Sequence, residues 1–339
     1  MKLILFCSLF AFGLCGRVGA QSTQTPEGLK EFVPVLPSVR SNFFDVDPKL
    51  GYAVKDVGGG VYVVSDNEWQ SAFLVTDAGV IVIDAPETFG KGIPTAIAKV
   101  TDKPIKMLIY SHIHRDHIGG SPAFKDIPGL KIVSLKSVAD YLKEQNDPER
   151  LLPTETFESH KTIKLGGKTV ELTRHFYHSS EGDLFIYIPE AKFLMAVDCV
   201  TPGYAPFHGF DITDNFGEYL KVFDQLLAYD FTTFCGGHLT QVGGREDVEI
   251  AKEFATDVYK TVKRIHNSMD QNAVATEASK TVGFDNKFLL FKVILDKVTE
   301  ESAKELRPRW INRLAGVDVW LDSHIWTALE YVRWDDKQD

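Results

Sequence analysis

The stretch that decides the fold of this chain is Ser111-His112-Ile113-His114-Arg115-Asp116-His117-Ile118-Gly119-Gly120. It follows directly after an apolar run, 105–110, which is typical of a buried strand. Three imidazoles and one carboxylate therefore lie within positions 112–117, where a strand gives way to a loop. Such a loop can direct these side chains around one cavity, and both groups are ligands for zinc and iron. We predict a metal site here, in preference to a His-rich surface loop.

The segments on either side alternate between short apolar runs and helical patterns. Strands are predicted at 61–65, 71–75, 80–83, 105–110, 131–134, 162–165, 168–173, 184–188, 192–197 and 232–235. Helices are predicted at 93–100, 137–144 and 245–268. Strands that alternate with helices, together with antiparallel hairpins, favour an α/β fold with mixed sheets covered by helices.

Three further candidate ligands lie beyond the opening stretch. His178 begins the segment His178-Ser179-Ser180-Glu181-Gly182-Asp183, Asp198 follows a predicted strand, and His238 follows Gly237. With the H-x-H-x-D-H pattern at 112–117, this arrangement resembles the metallo-β-lactamase superfamily over about residues 55–265. The segment after His178 is one residue longer than the family pattern, and Val197 replaces the family's usual glycine.

The resemblance implies two metal ions, which we expect to be zinc, with iron or manganese as alternatives. Asp198 would bridge them. The first metal would be held by His112, His114 and His178, and the second by Asp116, His117 and His238. Asp116 would also act in catalysis by orienting the attacking hydroxide.

The implied fold is an αββα sandwich of two mixed sheets, and the implied reaction is hydrolysis of a small-molecule substrate. A hydroxide bridging the metals would attack an ester, a lactone or a β-lactam-type amide. One alternative is a mononuclear iron oxygenase of the same superfamily, similar to the persulfide dioxygenases. Another is a binding protein on a degenerate fold, which would require a missing ligand. The length of the chain argues against a likeness to the alkylsulfatases of this superfamily.

The pattern along the chain predicts four regions. Residues 1–20 have the basic start, short apolar core and small residues of a secretory signal peptide, which predicts a secreted or periplasmic protein. The twelve apolar residues from Leu3 to Leu14 are too few to span a bilayer, which needs about 20. A loosely ordered lead-in is predicted at 21–50, the metallo-β-lactamase domain at 51–270, and a helical extension at 271–339.

One face of the predicted C-terminal helix is apolar. At helical spacing it carries Val317, Trp320, Leu321, His324, Ile325, Ala328, Leu329 and Val332. We expect this face to pack on the main domain or to form a homodimer contact, and His324 to be a core residue and not a ligand.

Charge and cysteine content narrow the class of protein. The net charge of −10 argues against a nucleic-acid partner. Outside the predicted signal peptide only Cys199 and Cys235 are present, so no disulfide framework is expected, although the sequence leaves a bridge between these two open.

Weaker candidates for contact with the substrate are three aromatic or imidazole residues in predicted loops. Trp69 lies between the first two strands, and Tyr204 and His208 follow Asp198 in a loop that contains Gly and Pro. They line the substrate pocket in one interpretation and pack beneath the loop in the other.

Overall fold

The structure is a computed structural model that describes residues 32–336. The chain divides into a unit of residues 1–33 and a compact unit that begins at Pro34, and every element below lies in the second. The predicted signal peptide, 1–20, and the lead-in as far as residue 31 lie outside the described residues. Within the described part of the chain, no helix combines the length and apolar character needed to cross a membrane.

The first sheet has seven strands in sequential order, antiparallel from β1 to β4 and parallel from β4 to β7. Its strands are β1 (Ala53–Gly58), β2 (Val61–Ser65), β3 (Gln70–Thr76), β4 (Gly79–Ile83), β5 (Ile105–Ile109), β6 (Lys131–Leu135) and β7 (Glu155–Phe157).

The second sheet has five strands in the order β12-β11-β10-β9-β8, with only the β11–β12 pair parallel. Its strands are β8 (His160–Leu165), β9 (Lys168–His175), β10 (Asp183–Ile188), β11 (Phe193–Ala196) and β12 (Thr233–Cys235). Both sheets are mixed, which confirms the α/β sandwich predicted from the sequence.

The helices predicted at 93–100, 137–144 and 245–268 are present and the C-terminal extension is helical, but the helix at 216–227 was not predicted. They are α1 (Pro37–Arg40), α2 (Ile93–Val100), α3 (Arg115–Ile118), α4 (Lys136–Gln145), α5 (His208–Ile212), α6 (Phe216–Leu227), α7 (Arg245–Ser268), α8 (Gln271–Val282), α9 (Lys287–Trp310) and α10 (Val317–Trp334). Side chains of Asn215, Asp270 and Asn286 accept a backbone N–H in the first turns of α6, α8 and α9, which explains where these helices begin.

The central strands of the second sheet, β10 and β11, are buried on both faces, and β11 shows why. Phe193 and Met195 belong to the core shared with the first sheet, whereas Leu194 and Ala196 belong to a second core shared with helices. Since successive side chains of a strand point to opposite faces, an uninterrupted apolar run such as 193–196 is suited to two cores at once.

The helical extension completes the second core. Buried side chains of α10, including Leu321, Ile325 and Leu329, belong to the same core as Leu194 of β11 and Phe254 of α7. The apolar stripe of α10 is therefore covered by this chain itself, apart from Trp320, which is half-buried.

The buried face of α10 should be important for stability, and two substitutions on that helix test this. Leu329→Ala removes a fully buried side chain and should lower the free energy of unfolding by about 2–5 kcal/mol. Val319→Ala changes a position that is 48% exposed and should stay within about 0.5 kcal/mol of the unmodified protein. Urea unfolding measures both, and equal losses would contradict the packing of α10.

Candidate metal centre

Several strands end at one edge of the sandwich and place candidate ligands there. After β5 the chain reaches His112 and His117, which are buried, while Asp116 on α3 remains partly exposed. His178 follows β9, and Asp198 follows β11. Loops that follow strands running in the same direction meet at the same edge, which explains how residues far apart in sequence converge.

The first sheet contributes a second contact at this edge, through the loop between β2 and β3. Trp69 bridges to His238, and the amide of Gln70 donates to the carbonyl of Gly237 at 2.7 Å. The amide of Leu239 donates to the carbonyl of Glu68 at 2.9 Å. These backbone hydrogen bonds hold the loop that carries His238 against the first sheet.

The carboxylate of Asp198 lies between two groups of donors. Its Oδ2 is 3.2 Å from the Nε2 atoms of both His112 and His178. Its Oδ1 is 3.3 Å from Nε2 of His117 and 2.9 Å from Nε2 of His238. Each oxygen of the one carboxylate therefore faces a different pair of imidazoles.

The remaining two candidates complete these groups. Nδ1 of His114 is 2.9 Å from Nε2 of His178, and Oδ2 of Asp116 is 3.5 Å from Nε2 of His117. All seven residues that the sequence singled out are thereby brought together, as His112, His114, His178 and Asp198 on one side and Asp116, His117 and His238 on the other.

The donor atoms point inward at distances that suit a cation. Nε2 of His117 lies 3.0 Å from Nε2 of His238, so two ring nitrogens face each other. Nε2 of His112 and Oδ1 of Asp198 are buried without a well-formed hydrogen bond. Buried polar atoms are nearly always satisfied, and nitrogen and carboxylate donors are what zinc accepts. The residues present therefore fit a metal centre.

Burial and neighbouring charges set the protonation of the cluster. Burial lowers the pKa of His112 to about 3, so its ring is neutral. Burial opposes the charge on Asp198, but the surrounding imidazoles, His117 first among them, hold its pKa well below the usual range. These are the forms that bind metals. At His117 burial opposes the charged ring, but Asp116 and Asp198 raise its pKa to about 10, so a cation bound there would displace a proton.

Two buried carboxylates that the sequence analysis did not propose as site residues support the ligands. Oδ1 of Asp84 accepts the amide of Ser111 at 2.8 Å, and burial raises the pKa of Asp84 to about 6. Asp183 accepts the amides of His178 and Ser179 at 3.0–3.1 Å. Their positions offered a signal: Asp84 ends a buried apolar strand, and Asp183 ends the Gly-Asp pair after His178.

The extra residue after His178 does not disturb the hydrogen bonds between Asp183 and the backbone of His178 and Ser179. The amide of Gly182 donates to the carbonyl of Ser179 at 3.1 Å, and Gly182 has a φ of 99° that favours glycine. The longer segment thus closes as a turn, and Asp183 still reaches the backbone of His178.

Three residues at the same edge have a strained backbone. Asp84, Asp198 and Leu239 have φ values of 60°, 60° and 59°, in the left-handed region. Each such residue costs on the order of 1–3 kcal/mol, and this strain persists where the surroundings enforce the conformation. Asp198 is a candidate ligand, Leu239 follows His238, and Asp84 accepts the amide of Ser111 beside His112.

Val197, which replaces the family's glycine, is accommodated by Gly237 across the site. A Cβ added to Gly237 would lie 2.6 Å from Cγ1 of Val197 and 3.2 Å from Cε1 of His117. Gly237 also has a φ of 86°. Both its conformation and its close approach to Val197 therefore require glycine.

The three weaker candidates are placed differently. Nε1 of Trp69 donates to Oδ2 of Asp116 at 3.2 Å, so Trp69 lies at the cluster. The hydroxyl of Tyr204 pairs with that of Thr240 at 2.9 Å, on the loop that follows His238. The exposed His208 packs edge-on against Trp320 of α10, with ring centroids 5.6 Å apart.

The question left open for the two cysteines is resolved by the structure. Cys199 and Cys235 are both free and buried. Sγ of Cys199 donates to the carbonyl of Ala196, and Sγ of Cys235 to Oε1 of Gln70. Both thiols are therefore directed to partners outside the cluster.

The close packing around Gly237 gives a prediction about metal binding. Gly237→Ala should displace Val197 and His117 and weaken zinc binding by at least about tenfold, as loss of ligand support does. Gly129→Ala is the matched control, because Gly129 has a φ of 71° but no atom within 4 Å of an added Cβ. The control shares the backbone strain and should retain zinc affinity. A competitive zinc titration that gives one affinity for both variants would contradict this account.

Known proteins support the interpretation of the site. The family model of the metallo-beta-lactamase superfamily matches residues 70–238. A metallo-beta-lactamase type 2 of Elizabethkingia meningoseptica is 30% identical over 147 residues, which is 42% of this chain and 56% of that protein. A linear primary-alkylsulfatase of a Pseudomonas species is 22% identical over 304 residues, which is 75% of this chain. This likeness corrects the expectation, based on length, that no alkylsulfatase would resemble the chain.

The matches extend to only part of those relatives. The chain spans 56% of the length of the β-lactamase and 52% of that of the alkylsulfatase. Among solved structures, a metallo-beta-lactamase from Pontibacter korlensis superposes with a TM-score of 0.53 at 18% identity, over 60% of this chain and 97% of that one. Fold, motif and family match agree, and the chain belongs to the metallo-β-lactamase superfamily.

Proposed function

We propose that this protein is a dinuclear zinc hydrolase that cleaves an ester, a lactone or a β-lactam-type amide. The observation that carries the proposal is the division of the Asp198 carboxylate. One of its oxygens faces His112 and His178, and the other faces His117 and His238. A carboxylate with donors grouped around each oxygen is suited to bridge two cations.

The ligand assignment follows from this grouping. His112, His114 and His178 would hold one cation, and Asp116, His117 and His238 the other, with Asp198 shared. When bound, two such cations supply a water of lowered pKa and a Lewis acid for the substrate oxygen. Membership of the superfamily and the all-His/Asp donor set favour zinc, with iron or manganese as alternatives.

The substrate would approach from the side of Asp116. The side chains of Asp116 and His238 are 41% and 25% exposed, whereas those of His112 and His178 are almost fully buried. The indole N–H of Trp69 donates to Oδ2 of Asp116, the oxygen that lies 3.5 Å from Nε2 of His117 and 3.6 Å from Nε2 of His238, so Trp69 would fix the orientation of this carboxylate. Trp69 would also form a wall of the pocket.

Two other chemistries remain as alternatives. A mononuclear iron oxygenase, similar to the persulfide dioxygenases, would not need a second group of donors, and the cluster of Asp116, His117 and His238 argues against it. Hydrolysis of a sulfate ester is favoured by the similarity to the alkylsulfatase, which extends over 75% of this chain.

Location and assembly are proposed from the sequence. A signal peptide at 1–20, outside the described residues, would direct the protein to the periplasm or the medium. The partners we expect are a small-molecule substrate and, through exposed aromatic side chains of the C-terminal helices such as Phe288 and Trp334, a second copy of the chain.

Metal stoichiometry tests the dinuclear proposal. Mature protein should hold about two zinc ions per chain. His178→Ala and His238→Ala should each lose about one, from different groups, and Asp198→Ala should lose metal at both positions because the shared carboxylate is removed. Metal analysis after gel filtration measures the content.

His160→Ala is the matched control for these variants, because His160 is exposed on β8 and should leave the zinc content unchanged. Full zinc content in Asp198→Ala would show that this residue is not a bridging ligand. One iron per chain in the unmodified protein would favour the oxygenase.

Turnover identifies the substrate class. We expect the purified protein to hydrolyse at least one of a β-lactam, a lactone, a carboxylic ester and an alkyl sulfate, and to lose this activity on chelation. Activity should return with zinc, because the cations supply the activated water. Hydrolysis that survives complete removal of metal would contradict the proposal.

A further inference from the structure

The short element α5 has an unusual backbone. Gly209, Phe210, Asp211 and Ile212 have φ values of 62°, 58°, 57° and 51°, so four successive residues are left-handed. Residues other than glycine adopt this conformation singly and not in runs. The turn therefore needs contacts from outside that hold it.

Helix α10 supplies those contacts. Nδ1 of His324 accepts the amide of Phe210 at 3.1 Å, and the hydroxyl of Ser323 accepts the amide of Gly209 at 3.0 Å. His324 is fully buried, with its ring centroid 4.5 Å from that of Phe210 and 5.6 Å from that of Phe254.

The protonation state of His324 allows its Nδ1 to accept the hydrogen bond from the amide of Phe210. Burial lowers its pKa to about 3, so the ring is neutral. A neutral imidazole has one acceptor nitrogen and one donor nitrogen. Since Nδ1 accepts an amide, Nε2 carries the hydrogen, and this atom is buried without a hydrogen-bond partner.

The turn is fastened at its other end to the segment that carries His178. The hydroxyl of Thr213 donates to the carbonyl of Tyr177 at 2.5 Å, and the amide of Asp214 donates to the carbonyl of His178 at 3.1 Å. Nδ1 of the His178 ring is itself buried without a hydrogen bond, so the segment that carries His178 is held through its backbone.

The side chain of Asp211 adds a second link to the cluster. Its Oδ1 accepts the amide of Phe207 at 2.9 Å, while its Oδ2 is buried without a partner. The carboxylate interacts electrostatically with Asp198, His238 and His117. The turn thus holds a buried carboxylate within electrostatic range of the candidate ligands.

We propose that His324 is a positioning residue for the metal centre: by holding the left-handed turn of α5 through the amide of Phe210, it keeps Thr213 and Asp214 hydrogen-bonded to the backbone of Tyr177 and His178 and so fixes the segment that carries His178. Helix α10 is then part of the scaffold of the active site, although it contributes no ligand. The inference rests on the proposed metal centre, of which His178 is a ligand.

Three variants of the full-length protein test the inference. His324→Leu keeps a buried side chain of similar size but removes the hydrogen-bond acceptor. It should weaken zinc binding by about tenfold, the lower end of what partners of metal-bound histidines contribute. It should also speed hydrogen exchange of the amides at 207–214 in the metal-free protein. His324→Asn returns an acceptor near the position of Nδ1 and should recover much of both properties.

Leu329→Ala is the control for a general weakening of α10. It should lower stability without changing zinc affinity or exchange in the turn, because Leu329 lies elsewhere on the buried face. Ser323→Ala, which removes only the acceptor for Gly209, provides the same test on a smaller scale if His324→Leu does not fold.

The readouts are a competitive zinc titration and exchange measured by mass spectrometry. Unchanged zinc affinity in His324→Leu, an equal loss in Leu329→Ala, or no recovery in His324→Asn would each overturn the positioning role. Failure of the unmodified protein to bind zinc would instead overturn the proposed metal centre, so the two failures can be distinguished.

Discussion

The site depends on one buried carboxylate, Asp198, surrounded by four imidazoles. A buried charge is costly unless it is paired, and here each oxygen has two ring nitrogens within 3.3 Å. The residue is also held at a φ of 60°. Removing its neighbours would leave both the charge and the strain uncompensated, so ligand geometry and local stability are coupled.

Elements from several parts of the fold bring the imidazoles that surround this carboxylate. The loop after β5 of the first sheet carries the candidate ligands at 112–117, and His178 and Asp198 follow strands of the second sheet. Trp69 and His238 join the two sheets at their common edge. On the far side, α10 holds the turn that contacts the His178 segment. The fold alone does not choose a substrate; the rim around Asp116 and Trp69 is where specificity would be set.

Local patterns predicted much of this structure, and long-range contacts explain the rest. The helix at 245–268 was predicted with its observed bounds, since its apolar spacing is regular. The seven candidate ligands could be found because they follow strands or match a family motif. The left-handed turn at 209–212 could not, because three of its residues carry side chains that disfavour it, and the contacts that stabilise it come from His324, more than a hundred residues later. The burial of Asp211 in this turn was missed for the same reason.

The division of the Asp198 carboxylate between two metal ions is best tested by anomalous diffraction at the zinc edge, with crystals of the zinc-loaded protein. We expect two peaks, one on each side of the Asp198 carboxylate. The first should lie next to His112, His114 and His178, and the second next to Asp116, His117 and His238. A single peak, or two peaks with Asp198 contacting only one of them, would contradict the division of that carboxylate between two metals.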